Sequence, residues 1–428
     1  MKKNFFSGML LIGLFAVSCS VSNKINRSAK ENILKNNAFA TAHTGISVYE
    51  PATGKFFYNF QADKYFVPAS NTKLATCYAA MKYLGDSLIG IRYNILNDST
   101  VAIQSAADPT FLQIDFKDHP VYNFLKKFHF IQIEKPSFTA FLGNGWAWND
   151  YTDDYMAQRS AFPIYGNIAK AIWKNNHSIT FNPSYFLKHS FIAEPLTTGF
   201  EVIKSWDKND FTFINGSEKV KYIPFRPDDI SIQNLLTDTL HQNIQFIETK
   251  NIYDNKVHSQ PTDSLLKLMM HSSDNFFAEQ SLLMVSNQLL NEMSDEKIVD
   301  TLLKTDFKLL PQFPKWVDGS GLSRYNLFSP EDFVIILNKM KNDFGMERMK
   351  NILPTGGTGT ISNYYREDSG YIFVKTGTLN GVVALSGFLY TKKDKLLIFS
   401  VLVNNHRSTS ITIRRGIEKF IQDIRNKN

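Results

Sequence analysis

The segment Phe66-Val67-Pro68-Ala69-Ser70-Asn71-Thr72-Lys73-Leu74-Ala75-Thr76-Cys77 contains the start of a helix that carries a serine and a lysine one turn apart. The apolar side chains after Ser70 recur at helical spacing, and they are Leu74, Cys77, Tyr78, Met81 and Leu84. This pattern predicts a buried amphipathic helix with Ser70 at its N-terminus. Because residues three apart share a helix face, the Lys73 amine can reach the Ser70 hydroxyl and act as its base. Taken alone, the segment favours a plainer interpretation, in which a helix-capping serine precedes a surface lysine.

A second polar segment, Ser273-Asp274-Asn275, falls at a break between two helical patterns. In a loop, the Ser273 and Asn275 side chains can both point into one cleft. On its own, however, the segment is equally compatible with a solvated loop.

A third segment, Lys375-Thr376-Gly377-Thr378, lies at the end of a predicted strand. Alternation along the strand places Lys375 and Gly377 on one face and Thr376 on the other. Gly377 would let a ligand approach the backbone closely. An ordinary edge strand is the alternative interpretation of this segment.

Strand patterns occur at both ends of the chain. Residues 45–50 and 55–60 flank the turn sequence Pro51-Ala52-Thr53-Gly54 and predict a β-hairpin. Three more strands are predicted at 371–376, 382–390 and 396–403, and an amphipathic helix follows with Ile413, Ile417, Phe420, Ile421 and Ile424 on one face. We therefore expect an α+β fold, in which residues 38–90 and 259–428 form one antiparallel sheet carrying helices.

Residues 91–258 consist of short aromatic-rich runs and turn sequences, which predict a mainly β inserted domain. Helices are predicted at 115–128 and 231–240, and Asn215-Gly216 predicts a hairpin between 211–214 and 219–223. Four aromatic residues of the insert could form a sugar-stacking surface, although such density is more typical of packing, and they are Trp146, Trp148, Tyr151 and Tyr155.

The N-terminus has the features of an export signal. Lys2 and Lys3 precede an apolar run over residues 5–17, which is too short to span a bilayer. The small residues before Cys19 resemble a bacterial lipobox, which implies cleavage of residues 1–18 and lipidation of the Cys19 thiol. A plain secretory signal is the alternative. Residues 19–37 are polar and are interpreted as a tether between the lipid and the folded domain.

Composition limits the remaining classes. The 428 residues are 43% hydrophobic, which suits a globular protein of two or three domains. The net charge falls from +7 to +5 when Lys2 and Lys3 are removed, a balance compatible with anionic substrates or lipid headgroups. Only Cys77 then remains beside Cys19, so no internal disulfide is expected. Without a Lys/Arg run or a zinc-type Cys or His pair, nucleic-acid and metal binding have little support.

In this order the three segments match the Ser-x-x-Lys, Ser-Asp-Asn and Lys-Thr-Gly set of β-lactamases and penicillin-binding proteins. The similarity extends over residues 66–80, 273–283, 318–324, 353–360 and 374–387. The chain resembles the class C low-molecular-mass penicillin-binding proteins, a D-alanyl-D-alanine carboxypeptidase and endopeptidase family of the penicillin-binding protein 4 type. In the insert, residues 105–110 keep the family's Asp-Pro-Thr without its preceding glycines.

This resemblance implies a serine β-lactamase or transpeptidase-like domain in which Ser70 attacks the carbonyl of the penultimate D-alanine of a peptidoglycan peptide. Lys73 would be the base, Ser273 would relay a proton to the leaving amine, and Asn275 would hold the substrate amide and orient Lys73. β-Lactam antibiotics would acylate the same serine. The chemistry requires no metal and no organic cofactor.

The same resemblance implies that the third segment, Lys375-Thr376-Gly377-Thr378, binds the substrate. Lys375, with Thr376 or Thr378, would hold the terminal carboxylate, Gly377 would allow close approach, and the backbone amides of Ser70 and Thr378 would form the oxyanion hole. We also expect burial and the Lys375 ammonium together to lower the pKa of Lys73.

Two other functions share these motifs. A β-lactamase would hydrolyse penicillin rapidly, and a non-catalytic penicillin sensor or wall-binding module would be acylated once or bind through its insert. The large insert and the 318–323 segment favour the carboxypeptidase, and the intact motif residues favour turnover. The expected location is the bacterial cell envelope, where an exported lipoprotein would face the periplasm or the cell surface.

Overall fold

The computed structural model describes residues 21–174, 178–193, 201–214, 219–248 and 252–428, so the predicted signal peptide and Cys19 lie outside the described residues. Its strands are β1 (His43–Glu50), β2 (Lys55–Phe60), β3 (Ser87–Asn97), β4 (Thr100–Ser105), β5 (Phe130–Glu134), β6 (Ile168–Lys174), β7 (Ser178–Asn182), β8 (Ser190–Ala193), β9 (Glu201–Lys204), β10 (Phe211–Ile214), β11 (Lys219–Pro224), β12 (Asn243–Ile247), β13 (Asn255–Pro261), β14 (Ile372–Leu379), β15 (Val382–Tyr390) and β16 (Leu396–Asn404). Its helices are α1 (21–34, ending in a π-helical turn at Lys30–Leu34), α2 (Lys73–Tyr83), α3 (Pro120–Leu125), α4 (Asp229–Leu240), α5 (Thr262–Ser272), α6 (Asn275–Leu290), α7 (Asp295–Lys304), α8 (Pro330–Phe344), α9 (Met346–Ile352) and α10 (Ser410–Lys427).

The main domain is organised around one antiparallel sheet with strand order β14-β15-β16-β1-β2. Strands from both ends of the chain are neighbours in this sheet, since Val401 of β16 pairs with Ile46 of β1 on one side and Leu385 of β15 on the other. The sequence prediction of a sheet built from both ends is confirmed. β14 lies at the edge of the sheet, and only its first half meets a further segment, where Phe373 pairs with Thr355 and the Val374 N–H donates to the Pro354 carbonyl oxygen at 3.0 Å.

Helices cover both faces of this sheet, which explains why β15 and β16 are apolar along nearly their whole length. On one face, α1 and α10 pack against alternate strand residues that include Val48 and Val374. On the other face, α2, α6 and α8 form the larger core, and Phe388 and Leu402 of the sheet belong to it. Helix α2 is buried on all sides over Lys73–Met81, so it is not the amphipathic helix that the spacing predicted.

The predicted tether over residues 19–37 is wrong for its described part. Residues 21–34 are helical, and Ile25, Ala29 and Ile33 are fully buried against α10. Asp423 of α10 accepts hydrogen bonds from the Ser28 hydroxyl at 3.0 Å and from the Asn32 side-chain amide at 3.1 Å. Ile25, Ala29 and Ile33 recur every four residues, but the segment is mostly polar, so this short apolar stripe did not predict a packed helix. The stripe packs against the C-terminal helix α10.

The insert leaves the main domain along β3 and returns along β13, and these two strands pair with each other. Because β3 begins at Ser87 and β13 ends at Pro261, the insert is a few residues wider at each end than the predicted 91–258. It contains the sheet β12-β5-β4-β3-β13 and two three-stranded sheets, β8-β10-β9 and β11-β6-β7. The prediction of a β-rich insert is confirmed.

Two local predictions in the insert are wrong. The helix expected over 115–128 is α3, which begins at Pro120, a residue suited to the first helical position because it has no N–H to leave unpaired. The strands flanking Asn215-Gly216 do not pair as a hairpin: β10 pairs with β8 and β9, whereas β11 pairs with β6. Residues 215–218 lie outside the described residues.

Candidate active site

Ser70 lies in a 3-10 turn, Ala69–Thr72, that leads directly into α2. Ala69 has a φ of 47°, a left-handed conformation that costs a residue with a side chain about 1–2 kcal/mol. The neighbouring loop holds this turn tightly, because a Cβ on Gly321, whose φ is 81°, would lie only 1.9 Å from the Ala69 carbonyl oxygen. The backbone around Ser70 is therefore fixed by packing on both sides.

Lys73 is fully buried one turn after Ser70, and its three ammonium donors all have acceptors. Its Nζ donates to Ser70 Oγ at 3.0 Å, to Asn275 Oδ1 at 2.6 Å and to the Ser320 carbonyl oxygen at 2.7 Å. The plainer interpretation of a surface lysine is wrong, and Lys73 and Ser70 form the hydrogen-bonded pair that a nucleophile and its base require.

Burial lowers the pKa of Lys73 from 10.5 to about 8, because the charged form loses its hydration. Three carboxyl groups oppose this effect and favour the ammonium, and they belong to Asp318, Asp274 and Glu279. At neutral pH a useful fraction of Lys73 is therefore the free amine, which can accept a proton.

Ser273 and Asn275 lie at the junction of α5 and α6. Ser273 ends α5 in a left-handed conformation with a φ of 61°. Asp274 begins α6 as its N-cap, with its carboxylate accepting from the Phe277 N–H. Asn275 is the first helical residue, so its amide is held between Lys73 and the insert, where its Nδ2 donates to the Tyr155 carbonyl oxygen at 2.9 Å. The break between helices thus directs both side chains into the cleft.

Lys375 extends from β14 into the same cleft and is also fully buried. Its Nζ donates to Ser273 Oγ at 2.8 Å and to the Thr376 carbonyl oxygen at 2.7 Å. Burial lowers the pKa of Lys375 well below its usual range, and the charges of Lys73 and Arg414 lower it further. Among the residues that the structure describes, no carboxylate opposes this effect, in contrast to Lys73.

Burial lowers the pKa of both amines, and each ammonium disfavours the charged form of the other. Burial, and not the Lys375 ammonium, is the first cause of the lowered pKa of Lys73. This agrees with the expected effect of burial, and the further effect expected of the Lys375 ammonium stays a prediction.

Gly377 faces the nucleophile on the same side of β14 as Lys375. A Cβ at this position would lie 2.8 Å from the Pro68 carbonyl oxygen and 3.0 Å from the Ser70 backbone N, so glycine lets the strand lie against the Ser70 turn. Thr376 and Thr378 are on the opposite face, where the Thr376 hydroxyl donates to Thr360 Oγ1 at 2.8 Å and the Thr378 hydroxyl accepts from Arg414. The structure therefore places Lys375 and the backbone of this segment next to Ser70. The two threonine hydroxyls are hydrogen-bonded to Thr360 and Arg414 instead.

A buried ionic cluster behind Lys73 was not predicted as part of the site. Arg159, an insert residue with 1% exposure, forms ion pairs with Glu279 at 3.4 Å and with Asp295. Glu279 in turn accepts from the Ser320 N–H at 2.8 Å, and the carbonyl of Ser320 is the one that binds Lys73. Burial and the nearby Asp318 raise the pKa of Glu279 to about 7. In the sequence, Glu279 stands out only as a charged residue within the apolar pattern of α6. Nothing in the sequence links it to Arg159.

The 318–323 segment is held by its own carboxylate. Asp318 accepts from the Gly321 N–H, the Ser323 N–H and the Asn326 side-chain amide. It also accepts from the Trp146 indole N–H at 3.0 Å, so Trp146 joins the insert to this loop. Among the four aromatic residues singled out from the sequence, Trp148 is 74% exposed and Tyr155 is 44% exposed, and the other two are half-buried.

A cavity of about 630 Å³ opens beside Ser273 and Asn275, between α6 and the insert. No cluster of side chains suited to a metal ion occurs among the residues that the structure describes. Within the same residues, no helix is long and apolar enough to cross a membrane.

The sheet with helices on both faces, the motif residues gathered at its β14 edge and the β-rich insert define an α+β protein of the penicillin-binding transpeptidase and serine β-lactamase class. The profile of the D-Ala-D-Ala carboxypeptidase 3 (S13) family matches residues 27–181 and 238–424. The chain belongs to this family.

Individual relatives agree with this assignment. The Carboxypeptidase DacB of Mycolicibacterium smegmatis is 31% identical over 169 residues, which are 37% of this chain and 36% of that protein, so the chain matches about a third of the relative's length. The crystal structure of penicillin-binding protein 4 (dacB) from Haemophilus influenzae has the same fold, with a TM-score of 0.75 and 20% identity over 94% of this chain and 98% of that one. A predatory peptidoglycan endopeptidase from Bdellovibrio bacteriovorus, Bd3459, is similar in fold at a TM-score of 0.57 and 14% identity, over 90% and 93% of the two chains.

Proposed function

We propose that this protein is a serine-type D-alanyl-D-alanine carboxypeptidase that acts on peptidoglycan stem peptides through an acyl-enzyme at Ser70. The single observation that carries the proposal is the contact between Ser70 Oγ and Lys73 Nζ at 3.0 Å, with Lys73 buried and its pKa lowered to about 8. Family membership supplies the substrate class, because the matching family is that of D-Ala-D-Ala carboxypeptidases.

In the acylation step, Ser70 Oγ attacks the carbonyl carbon of the penultimate D-alanine and its proton passes to the neutral Lys73 amine. The carbonyl oxygen becomes an oxyanion that the backbone N–H groups of Ser70 and Thr378 would stabilise, each such donor being worth about 3 kcal/mol of barrier. Gly377 supports this assignment, since its lack of a side chain lets β14 lie against Ser70.

The carbon–nitrogen bond then breaks, and terminal D-alanine leaves as its amine gains a proton. We assign the relay of that proton to Ser273, because its hydroxyl is hydrogen-bonded to Lys375 Nζ and borders the cleft. Asn275 orients Lys73 through its side-chain oxygen, and its contact with the Tyr155 carbonyl fixes the amide orientation. Water hydrolyses the ester in a second step and returns Ser70 to its starting state.

Lys375 is our principal ligand for the free carboxylate of the terminal D-alanine. Burial and the charges of Lys73 and Arg414 lower its pKa, and a bound carboxylate would raise it, because an opposite charge favours the ammonium form. Thr376 and Thr378 are secondary ligands in this proposal, and their hydroxyls would have to exchange their present partners, Thr360 and Arg414, for the substrate.

The decisive experiment compares wild-type protein with the Ser70→Ala variant. We expect the variant to lose both covalent labelling by fluorescent penicillin and release of D-alanine from a peptide ending in D-Ala-D-Ala, because both reactions use one nucleophile. Thermal unfolding of the two proteins checks that the fold is retained. Labelling of a folded Ser70→Ala protein would exclude Ser70 from the role.

The two competing functions predict different outcomes for the wild-type enzyme. A β-lactamase would turn over penicillin many times without releasing D-alanine from the peptide, and a sensor would be acylated once without peptide turnover. Cleavage of D-alanyl cross-links is a second activity that we propose for the same serine. It is supported by the cavity beyond the cleft, which gives room for more than a terminal dipeptide, and by the fold shared with the Bdellovibrio endopeptidase.

We propose that the enzyme works in the bacterial cell envelope as an exported lipoprotein, cleaved before Cys19 and anchored by acyl chains on that residue. Export is supported by the substrate class, since peptidoglycan lies outside the cytoplasm. The wild-type protein should sediment with membranes, whereas Cys19→Ala should be soluble or remain uncleaved. Wild-type protein recovered from intact cells without a lipid would exclude the anchor.

A further inference from the structure

The Ser320 carbonyl, which accepts from Lys73 Nζ at 2.7 Å, is held by hydrogen bonds in its own peptide unit and in the preceding one. The Gly321 N–H, in the same peptide unit, donates to Asp318 Oδ1 at 2.8 Å. The Ser320 N–H, one unit earlier, donates to Glu279 Oε1 at 2.8 Å. Turning this carbonyl away from Lys73 would therefore strain a bond to one buried carboxylate or the other.

Both carboxylates are also bound by side chains of the insert. Glu279 uses its second oxygen, Oε2, for the guanidinium of Arg159 at 3.4 Å. Asp318 uses its second oxygen, Oδ2, for the indole N–H of Trp146 at 3.0 Å. The two insert side chains also contact each other, since the Arg159 guanidinium carbon lies 5.7 Å from the centre of the Trp146 ring. Each carboxylate thus bridges the insert and the backbone that holds the Lys73 amine.

Arg159 is fixed within the insert as firmly as it is paired with the main domain. Its Nε donates to the Ala140 carbonyl oxygen at 3.1 Å and its Nη2 to the Leu142 carbonyl oxygen at 3.0 Å. Its Nη1 donates to Glu279 and to Asp295 at the start of α7. Because the side chain is only 1% exposed, water cannot replace these partners. A shift of the insert segment 140–142 would therefore be transmitted to Glu279.

The charge of Arg159 strengthens the contact between Glu279 and Ser320. Burial raises the pKa of Glu279 to about 7, Asp318 and Asp295 act in the same direction, and the Arg159 guanidinium opposes them. An ionised carboxylate accepts a stronger hydrogen bond than a neutral carboxyl group does. By favouring the ionised form, Arg159 strengthens the bond from the Ser320 N–H.

We propose that Arg159 and Trp146 are positioning residues through which the insert aligns the catalytic base. Their two carboxylate partners fix the Ser320 carbonyl, and this carbonyl holds the Lys73 amine beside Ser70. The inference rests on the proposed function, since it takes the serine as nucleophile and the lysine as base. It gives the insert a part in acylation that needs no contact between these residues and the substrate.

Trp146→Phe tests the proposal with a small change, because it removes the indole N–H and keeps an aromatic ring beside Arg159. Stopped-flow acylation with a fluorescent penicillin, above the acidic limb, gives the limiting rate constant, the half-saturating concentration and the final labelled fraction. The rate constant should fall about tenfold, the factor that corresponds to one hydrogen bond to a charged group. The other two values should stay unchanged, because the nucleophile and the penicillin-binding surface remain in place.

Trp148→Phe is the matched control. It makes the same chemical change two residues along the chain, on a side chain that is 74% exposed. All three values should equal those of wild type.

Glu279→Gln tests the second bridge, since it keeps the size of the side chain and an acceptor for the Ser320 N–H but removes the charge that pairs with Arg159. The limiting rate constant should again fall. The acidic limb should also move to lower pH, because the Glu279 carboxylate favours the ammonium form of Lys73. A residue needed only for stability would change the folded fraction and would leave the limb in place.

An unchanged rate constant in both Trp146→Phe and Glu279→Gln would overturn the proposal. A smaller labelled fraction with a wild-type rate constant would also overturn it, since that result describes loss of folded protein. Absence of penicillin labelling in the wild-type protein would instead overturn the proposed function, so the two failures are distinguishable.

Discussion

The lowered pKa of Lys73 makes the pH dependence of acylation a quantitative prediction. The difference between 10.5 and about 8 corresponds to about 3 kcal/mol against the charged form. At pH 7 about one tenth of Lys73 is then neutral, compared with about one part in 3,000 for an ordinary lysine, which is a gain of about 300-fold in competent base. The second-order rate of penicillin acylation should rise about tenfold per pH unit below pH 8 and level off above it.

Substitutions of Lys375 test whether its charge contributes to the lowered pKa of Lys73. Because burial is the first cause of that lowered pKa, Lys375→Met should lower the acylation rate by weakening carboxylate binding, and the acidic limb should stay within about 0.3 pH unit of its wild-type position. Lys375→Arg introduces a permanent positive charge and should move the limb to lower pH, because a charged neighbour disfavours the ammonium form of Lys73.

The assay is stopped-flow acylation with a fluorescent penicillin between pH 5.5 and 9.5, with thermal unfolding at each pH as the control for folding. If the limb of Lys375→Met moves upward by a full pH unit or more, then the Lys375 ammonium lowers the pKa of Lys73 substantially and burial is not its main cause. If wild type shows no limb between pH 6 and 9, Lys73 is not the base.

Three further substitutions test the supporting structure. Arg159→Met should lower the free energy of unfolding by about 3–5 kcal/mol, because it leaves a buried carboxylate unpaired; an unchanged urea midpoint would contradict this. Ile33→Ala should cost about 2–5 kcal/mol if α1 belongs to the core, and no cost would mean that this helix is detached. Gly377→Ala should abolish penicillin labelling while the protein stays folded, since the added methyl group would displace β14 from Ser70, and normal labelling would disprove that contact.

The elements that depend on local sequence pattern were predictable. Strands β15 and β16 are apolar runs bounded by turn residues, and α8 begins with Ser329-Pro330, where Ser329 and Asp332 form a reciprocal cap. Alternation alone also predicted that Lys375 and Gly377 share one face of β14. In the structure this face lies towards the catalytic cleft and Ser70. In each case the information lies within a few neighbouring residues.

The unpredicted features depend on partners distant in the chain. Arg159 and Glu279 are 120 residues apart, and neither has a neighbour that reveals the other. The lowered pKa of Lys375 could not be derived either, because it depends on full burial and on the charges of Lys73 and Arg414. The α1 stripe was missed for the same reason, since its packing partner, α10, lies at the other end of the chain.

For a protein anchored at Cys19 as proposed, the docking of α1 would set the distance between the membrane and the catalytic cleft. Had residues 19–37 been an extended chain, a lipid on Cys19 would have allowed the cleft to range over about 60 Å above the bilayer. Because residue 21 is already helical and α1 packs on α10, only Ser20 separates the proposed anchor from the described part of the helix. An enzyme attached in this way would hydrolyse only the layer of wall next to its membrane, so the distance between that membrane and the peptidoglycan would decide which strands are trimmed.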